Sequence, residues 1–262
     1  MKLLVYLSVL FLFIGGLHTA SAAVKDDGLI LYFSFDKESG GKIIDETGSG
    51  NDATIVADAK IVTDDVVHGK GALLCDSNTS SVTVDSFNEL EDYQDNTFLF
   101  WVNFTKANSG GWDQIIAKKA PGSDRSPGIW TCSRIPLHIH WRFNPGNQGP
   151  HCAGPTGEDS VFEIGEWYHI AGSKKGSQIS FYVNGKRTQQ NNVPADHAQG
   201  NERLYIGRTG YNSAKFILDD LYVYDRALDE GEVASVMDGD LLPVQPQAKL
   251  TTTWGQVKTS RD

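Results

Sequence analysis

The sequence predicts an all-β fold, a two-sheet antiparallel β-sandwich of the jelly-roll type with one short C-terminal helix. Short runs rich in Val, Ile, Phe, Tyr and Trp recur along the chain, and turn-forming Gly, Asn, Asp, Ser and Pro separate them. Hardly any stretch has the 3.6-residue apolar period of an amphipathic helix. Strands that follow one another without intervening helices favour an antiparallel sandwich.

Each predicted strand is a run of β-branched or aromatic residues with turn formers on both sides. In chain order, the eleven predicted strands are LILYFSF (29–35), GALLCD (71–76), SVTVD (81–85), TFLFWVNF (97–104), QIIAKK (114–119), GIWTC (128–132), LHIHWRF (137–143), WYHIAGSK (167–174), QISFYVN (178–184), RLYIGR (203–208) and KFILDDLYVYD (215–225).

Two connections and one helix carry local signals of their own. Asn184-Gly185 in YVNGKR predicts a tight hairpin, because both turn positions need positive φ. The segment before it, AGSKKGSQIS, predicts a longer turn between the flanking strands. LDEGEVASVM predicts the helix, since Asp229 can cap it and Glu232 stands three residues on, as in a capping box.

The N-terminus has the pattern of a secretory signal peptide, predicted over residues 1–22. One lysine precedes an apolar run from Leu3 to Leu17, and Ala20-Ser21-Ala22 matches the A-x-A cleavage pattern. The run is shorter than the roughly 20 residues that a membrane span needs. We therefore expect a secreted, extracellular protein with a sandwich domain over 28–240 and a linker and short tail over 241–262.

The charge of the chain narrows the possible partners. The formal net charge is −10 at neutral pH. Binding to nucleic acid or to an anionic membrane needs clustered Lys and Arg, so neither is the expected partner. No later run approaches the length of a membrane span, so membrane insertion is not expected either. An exported acidic chain with many carboxylates is instead compatible with calcium binding.

Three cysteines give an odd count, so at most one intramolecular disulfide forms. Cys132 and Cys152 flank a Pro- and Gly-rich segment and are the predicted pair, which export permits. Closing a loop of that size contributes about 3 kcal/mol to stability. Cys75 lies in an apolar run and is expected to pack as a small buried residue, although pairings through Cys75 are alternatives.

Three separated motifs, in the right order, resemble LamG-like jelly-roll domains of the concanavalin A-like lectin/glucanase superfamily. They are GLILYFSFDKESGGKIIDETGSGNDATI (28–55), WYHIAGSKKGSQISFYVNGK (167–186) and FILDDLYVYDRALDEGEV (216–233). The stretch between residues 110 and 162, which carries two histidines and the predicted disulfide, departs from the family pattern.

The resemblance implies one structural calcium ion where the first and last strands meet. The motif positions that would supply its oxygen ligands are Asp36, Asp45, Asn51 and Asp219. Asp219 interrupts an apolar run, where an unpaired carboxylate would be costly. The alternative is that these residues only form turns, a role that Asp and Asn also favour.

The superfamily also contains glycoside hydrolases, which place two carboxylates on one strand in an E-x-D-x-E or E-x-D-x-x-E pattern. The Glu-containing segments NELEDYQD, FEIGEW and DEGEV all lack the Glu-x-Asp core. No G-x-S-x-G or H-E-x-x-H motif occurs either. We therefore predict no catalytic residues and no enzymatic activity.

The strand LHIHWRF has two faces. Alternation puts Leu137, Ile139, Trp141 and Phe143 towards the core, and it puts three polar residues outward as the predicted ligand-binding set: His138, His140 and Arg142. Imidazole and guanidinium groups bind hydroxyl and carboxylate groups, and an acidic or sulfated glycan suits Arg142 best. The alternative is a solvated polar face with no ligand.

A transition-metal site is the other interpretation of this strand. Two histidines need at least one more protein ligand for zinc, and His151 is the nearest candidate. If Cys132 pairs with Cys152, His151 lies near residue 133, roughly 16 Å along the strand from His138. A zinc site would need a fold-back that the sequence does not indicate.

These observations predict a secreted, non-enzymatic binding module that recognises a glycan or an extracellular or cell-surface protein. Two other functions stay open: a glycan-active hydrolase or lyase with an unrecognised site, and a structural surface-assembly protein. The fold alone does not choose among them, because one fold hosts many functions.

Overall fold

A computed structural model describes residues 26–119, 124–134, 136–198 and 200–240. The predicted signal peptide (1–22) and the C-terminal tail (241–262) lie outside the described residues. The strands are β1 Leu29–Phe33, β2 Glu38–Ser39, β3 Lys42–Ile43, β4 Ala53–Ala57, β5 Ala59–Val62, β6 Ala72–Cys75, β7 Ser81–Val84, β8 Asn96–Phe104, β9 Asp113–Lys118, β10 Gly128–Thr131, β11 Ile139–Arg142, β12 Trp167–Lys175, β13 Gln178–Val183, β14 Lys186–Asn192, β15 Leu204–Gly207, β16 Asn212–Ser213 and β17 Phe216–Tyr224; the helices are α1 Asn88–Asp92 and α2 Glu230–Met237.

The strands form two sheets. The eight-stranded sheet has the order β14-β13-β12-β8-β17-β6-β5, and β1 also pairs with β17. The nine-stranded sheet has the order β11-β10-β9-β15-β7-β4-β3-β2, and β16 also pairs with β9. Every pairing is antiparallel except that of β16 with β9. The predicted all-β, two-sheet antiparallel sandwich with a short C-terminal helix is therefore confirmed.

The hydrophobic core lies between the sheets. Alternate residues of β8, from Phe98 to Phe104, face residues of the other sheet such as Ile116, Ile129 and Trp141, all of them fully buried. Each large apolar side chain buried there contributes about 1.5–3 kcal/mol. A second, smaller apolar cluster includes Val233 and Val236 of α2 together with residues of β8, β12, β13 and β17. The helix thus covers part of the outer face of the eight-stranded sheet.

All eleven predicted strands are present, each within a residue or two of its predicted ends. The hairpin between β13 and β14 has φ 49° at Asn184 and φ 74° at Gly185, as predicted. The turn between β12 and β13 is shorter than predicted, because β12 continues to Lys175 and β13 begins at Gln178. Gly176 makes this tight turn possible with φ 53°.

Helix α2 begins with the predicted capping box. The Asp229 carboxylate accepts the backbone N–H of Glu232 at 2.9 Å, and the Glu232 carboxylate accepts the backbone N–H of Asp229 at 2.8 Å. These two contacts satisfy N–H groups that have no partner inside the helix.

We expect Asp229→Ala to lower the free energy of unfolding by about 1 kcal/mol, because it removes the acceptor for the helix N-terminus. Urea unfolding measures this change. Asp229→Ser keeps a side-chain acceptor and should lose clearly less, so equal losses for the two variants would contradict the role of the cap.

Candidate functional site

The predicted core face of β11 is confirmed. Leu137, Ile139, Trp141 and Phe143 are all buried in the main core. In the register of β10 with β11, Trp130 lies opposite His140 and Gly128 opposite Arg142. Trp130, His140 and Arg142 therefore share the outer face of the nine-stranded sheet.

The outer face of β11 is covered, so the expectation that its histidines face solvent is wrong. His138 is only 7% exposed and His140 only 5%. The ring nitrogens of His138 lie 2.8 Å from the carbonyl oxygen of Pro136 and 3.0 Å from that of Glu158. His138 therefore lies between β11 and the loop beyond it, and both of its ring nitrogens face carbonyl oxygens of the protein.

The cover comes from a segment that folds back along the open edge of β11. The N–H of Ile139 donates to the Ala153 carbonyl at 2.8 Å, and the N–H of Trp141 donates to the Pro150 carbonyl at 3.0 Å. This antiparallel pairing places His151 beside His140, with their Nδ1 atoms 3.0 Å apart. The sequence-based placement of His151 far from this strand's histidines is therefore wrong for His140.

The predicted disulfide between Cys132 and Cys152 is confirmed. It joins the residue after β10 to the segment beside β11, and it thereby holds His151 next to β11. Cys75 is the free cysteine, and it is buried in the main core as expected.

Aromatic rings and cationic groups surround His140. Its ring centroid lies 4.5 Å from that of Trp112, 5.9 Å from that of Trp130 and 4.9 Å from that of His151. Tyr211 makes an edge contact with Trp130 at 5.7 Å. We name this set the outer-face cluster, and its members are Trp112, Arg125, Trp130, His140, Arg142, His151 and Tyr211.

A glycine makes room for the central ring of the cluster. A Cβ atom on Gly128 would stand 2.0 Å from the Trp130 ring, so only glycine lets this ring lie over β10. The guanidinium of Arg125 lies over the same ring at 5.4 Å from its centroid, within cation–π range. Trp130 is 2% exposed, whereas Trp112 and Tyr211 are half-buried at the surface.

The electrostatics of the cluster keep His140 neutral. Burial is the main cause that lowers the pKa of His140 to about 3, and the charges of Arg142, His151 and Arg125 act in the same direction. A neutral imidazole offers one donor and one acceptor. Arg142 is half-buried and is held by Gly149, through a guanidinium hydrogen bond to the carbonyl oxygen, and by Asn147 at 3.4 Å.

Asp219, one of the predicted calcium ligands, instead accepts backbone N–H groups. It accepts from Val67 at 2.8 Å and His68 at 3.2 Å with one oxygen, and from Asp220 at 3.0 Å with the other. Burial, with the Asp220 charge second, raises the pKa of Asp219 to about 7. Asp219 stands where β17 changes its partner from β6 to β1.

Asp36 holds the other end of the same loop. One of its oxygens accepts the backbone N–H groups of Lys70 and Gly71. A Cβ on Gly69 would stand 2.2 Å from an oxygen of Asp36, so the loop packs directly against this carboxylate. Asp36 therefore acts as a loop anchor.

Asp45 organises the loop that carries Asn51. Its carboxylate accepts the backbone N–H of Thr47 at 3.1 Å, the Thr47 hydroxyl at 2.8 Å and the backbone N–H of Asn51 at 3.2 Å. The turn-forming alternative describes these contacts well.

Within the described part of the chain, Asp36, Asp45 and Asp219 do not bring their oxygens into one cluster of metal-binding size. A calcium ion needs six to eight converging oxygens, so Asn51 and carbonyl oxygens would have to complete a site at any one of these carboxylates. A calcium requirement stays a prediction, and melting curves recorded with calcium and after complete chelation would decide it.

No helix among the described residues is long and apolar enough to cross a bilayer.

A laminin G-type family model, described as the concanavalin A-like lectin/glucanases superfamily, matches residues 76–234. This match covers more than half of the chain. The chain belongs to this superfamily. A comparison with curated proteins gives no match.

Solved structures with a similar fold come from a sialidase, a mosquitocidal protein and a botulinum neurotoxin. The chain resembles the Trypanosoma rangeli sialidase in complex with sialic acid, with TM-score 0.59 and 18% identity over 80% of this chain and 32% of that one. It also resembles the binding domain of Paraclostridial Mosquitocidal Protein 1, with TM-score 0.62 and 18% identity over 81% of this chain and 52% of that one. For the receptor binding domain of botulinum neurotoxin D the TM-score is 0.60, with 15% identity over 81% and 53%. The superfamily member described here thus spans about a third to a half of these chains, and the likeness shows the fold alone.

Proposed function

We propose that this member of the superfamily is a secreted, non-enzymatic binding module that recognises an acidic glycan through the outer-face cluster. The observation that carries the proposal is the combination of partly exposed aromatic rings, Trp112 and Tyr211, with the guanidinium groups of Arg125 and Arg142. Aromatic faces pack against the apolar faces of sugar rings, and guanidinium groups bind carboxylate and sulfate oxygens.

The structural relatives support a binding role in general terms. One is the binding domain of a mosquitocidal protein, one is the receptor binding domain of a botulinum neurotoxin, and one is a sialidase structure that contains sialic acid, an acidic sugar. The disulfide beside the cluster is typical of exported proteins. His140 and His138 are both buried, so they support the exposed members of the cluster rather than contact the glycan.

We expect Trp112→Ala and Tyr211→Ala each to weaken binding of a sialylated, uronic-acid-containing or sulfated glycan by about tenfold or more. Tenfold corresponds to about 1.4 kcal/mol, as for a central aromatic contact of an interface. A glycan array identifies the ligand, and isothermal titration calorimetry measures the affinity. Arg125→Gln should weaken binding of acidic glycans while sparing their uncharged analogues.

Val56→Ala is the matched control, because Val56 is 59% exposed on β4, four strands away from β10 in the same sheet. It should bind like the unaltered protein. The proposal fails if no acidic glycan binds, or if the control loses as much affinity as the cluster variants. Binding of a purified cell-surface protein without any glycan dependence would point instead to a protein partner.

The alternative that a specific observation favours is a glycan-active enzyme, because sialidases appear among the structural relatives. Release of reducing sugar or of free sialic acid from mixed glycans, measured on the purified protein, tests this alternative. Turnover that survives the loss of the outer-face cluster would place an active site elsewhere in the chain.

A further inference from the structure

Four side chains of metal-binding types lie together at the outer-face cluster, and two of them belong to it. We name them the sulfur–imidazole group, and they are Cys132, Cys152, His140 and His151. The Sγ atoms of the two cysteines and a ring nitrogen of His140 all lie within 4.8 Å of one another. His151 adds its Nδ1 at 3.0 Å from that of His140, and its Nε2 at 3.9 Å from the Sγ of Cys152.

Cys132, Cys152 and His140 lie close enough together to share one metal ion, and His151 stands beside them as the candidate fourth ligand. Zinc holds imidazole nitrogens at about 2.0–2.1 Å and thiolate sulfurs at about 2.3 Å, so its ligand atoms lie roughly 3.3–3.8 Å from one another. The two short contacts of His151 use different nitrogens, Nδ1 towards His140 and Nε2 towards Cys152, so the exposed His151 ring must turn to present one nitrogen to an ion held by the other three side chains. The two sulfurs are joined in the disulfide, so they must separate before both can act as ligands.

The surrounding charges disfavour a metal ion while the disulfide is closed. In that state the group offers only its two imidazole side chains and no thiolate, and the charges of Arg142 and Arg125 act on His140. A divalent cation there would be repelled without any compensating negative ligand. Two thiolates would cancel the charge of the ion, and the nearby guanidinium groups would favour thiolates over thiols.

We propose that the sulfur–imidazole group binds one zinc ion through two sulfurs and two nitrogens when the Cys132–Cys152 disulfide is reduced. A dithiol supplies the two electrons and two protons: the sulfur–sulfur bond breaks, two thiols form, and the dithiol leaves as its own disulfide. Zinc then displaces one proton from each thiol, so two protons go to solvent for each ion bound.

The chain is suited to this exchange at three points. Cys152 is half-buried and His151 is exposed, so a reductant and a metal ion can reach the group from solvent. His140 is buried on β11. Metal binding would replace the disulfide as the link between β10 and the segment beside β11, so the fold-back would persist. This inference does not depend on the proposed glycan binding.

The experiment is a zinc titration of the purified protein in two states, oxidised and reduced. A phosphine is the reductant for the assay, because a dithiol in solution would itself compete for zinc. The reduced protein should bind one zinc ion for each chain, at least about 100-fold more tightly than the oxidised protein. Cobalt in place of zinc should give thiolate-to-metal charge-transfer absorption in the reduced state only.

Two variants assign the ligands. The double variant His140→Gln/His151→Gln keeps both thiols, and it should lose at least about tenfold in zinc affinity. Cys75→Ala is the matched control, because Cys75 is a free thiol buried in the core, outside the group. It should leave zinc affinity and stoichiometry unchanged.

Tryptophan fluorescence reports the fold in each state. If reduction alone unfolds the chain, zinc should restore the native spectrum in the unaltered protein and fail to do so in the double histidine variant. The proposal is overturned by equal zinc affinity in the two redox states, by unaltered affinity in the double histidine variant, or by a reduced protein that neither binds zinc nor refolds with it.

Discussion

The protein is expected to lose stability steeply on acidification, by on the order of 2–4 kcal/mol between about pH 7 and pH 5. Three buried histidines cause this loss. Burial lowers the pKa of His140 and of His169 to about 3, and that of His197 to about 4. In the unfolded chain a histidine titrates near 6.5. The unfolded state therefore binds more protons below that pH, and acid shifts the equilibrium towards it.

His169 shows the origin of the effect most clearly. It is 1% exposed, its ring lies against Trp101 at 5.3 Å between centroids, and its Nδ1 is buried with no hydrogen-bond partner among the described residues. Nothing near this nitrogen can stabilise an added proton, and the charge of His68 opposes one. Each such histidine costs about 1.4 kcal/mol for each pH unit below its unfolded pKa.

His197 is packed in a different place, between the rings of Tyr93 and Phe143. Its Nδ1 lies 2.8 Å from the Ser126 hydroxyl. Burial is the main cause of its lowered pKa, and the charge of Lys174 is the next. Protonation here requires the aromatic packing to open, so it adds to the loss caused by His169.

Asp219 works in the opposite direction. Its pKa is raised to about 7, so the folded state holds this proton more tightly than the unfolded chain, where a carboxyl titrates near 4. Its contribution to stability therefore increases as the pH falls from about 7 to about 4. One carboxyl offsets about one histidine, so the three histidines still determine the sign of the change.

Urea unfolding at a series of pH values measures the slope of the free energy of unfolding against pH. The slope is proportional to the number of protons taken up on unfolding. His169→Gln should reduce that number by about one, whereas Asp219→Asn should increase it by a similar amount. Val56→Ala removes no titratable group from an exposed position and serves as the control, with an unchanged slope. A free energy of unfolding that stays constant from pH 7 to pH 5 would contradict the prediction.

The strands that could be predicted from sequence are those with buried apolar faces. β8 and β17 are long, aromatic and entirely or almost entirely buried, so their residue types reflect their surroundings. The strands that were missed lack this signal. β14 reads KRTQQNN and lies at the edge of the eight-stranded sheet, where backbone pairing with β13 holds a polar segment in extended form. The break between β4 and β5 is a left-handed residue, Asp58, with φ 46°.

The site was predictable only in part, because it depends on contacts between distant segments. Alternation along β11 gave the correct core face, and residue spacing gave the correct disulfide. The positions of Trp112, Arg125 and Tyr211 follow from the pairing of β9, β10 and β16, which no local pattern indicates. The carboxylates Asp36 and Asp219 matched family positions, yet their partners are backbone N–H groups, and these carry no signal in a sequence.

Trp141→Ala is expected to lower the free energy of unfolding by about 3–5 kcal/mol, the cost of a large cavity in a rigid core. Trp141 is fully buried and packs against Phe100 at 6.4 Å and Phe181 at 6.1 Å between ring centroids. These two residues lie in β8 and β13 of the eight-stranded sheet, so the indole joins the two layers of the sandwich directly beneath the outer-face cluster.

The indole fits because β12 has a glycine opposite it. A Cβ on Gly172 would stand 2.5 Å from Cζ2 of Trp141, closer than side chains tolerate. We therefore expect Gly172→Ala to cost about 1–3 kcal/mol through overpacking. Gly111→Ala is the control, since the nearest atom to its added Cβ would be the Ser109 hydroxyl oxygen at 3.7 Å, and it should leave stability almost unchanged.

Trp141→Phe separates packing from hydrogen bonding. The indole N–H of Trp141 is buried with no partner among the described residues, so replacing the indole with a phenyl ring removes an unsatisfied donor along with some volume. We expect this variant to cost clearly less than Trp141→Ala.

In the double variant Trp141→Phe/Gly172→Ala, the smaller ring leaves space for the new methyl group. The stability lost by the double variant should therefore be smaller than the sum of the losses of the two single variants. A double-mutant cycle should give a compensating coupling on the order of 1 kcal/mol, and strictly additive losses would show that the two residues are not in direct contact.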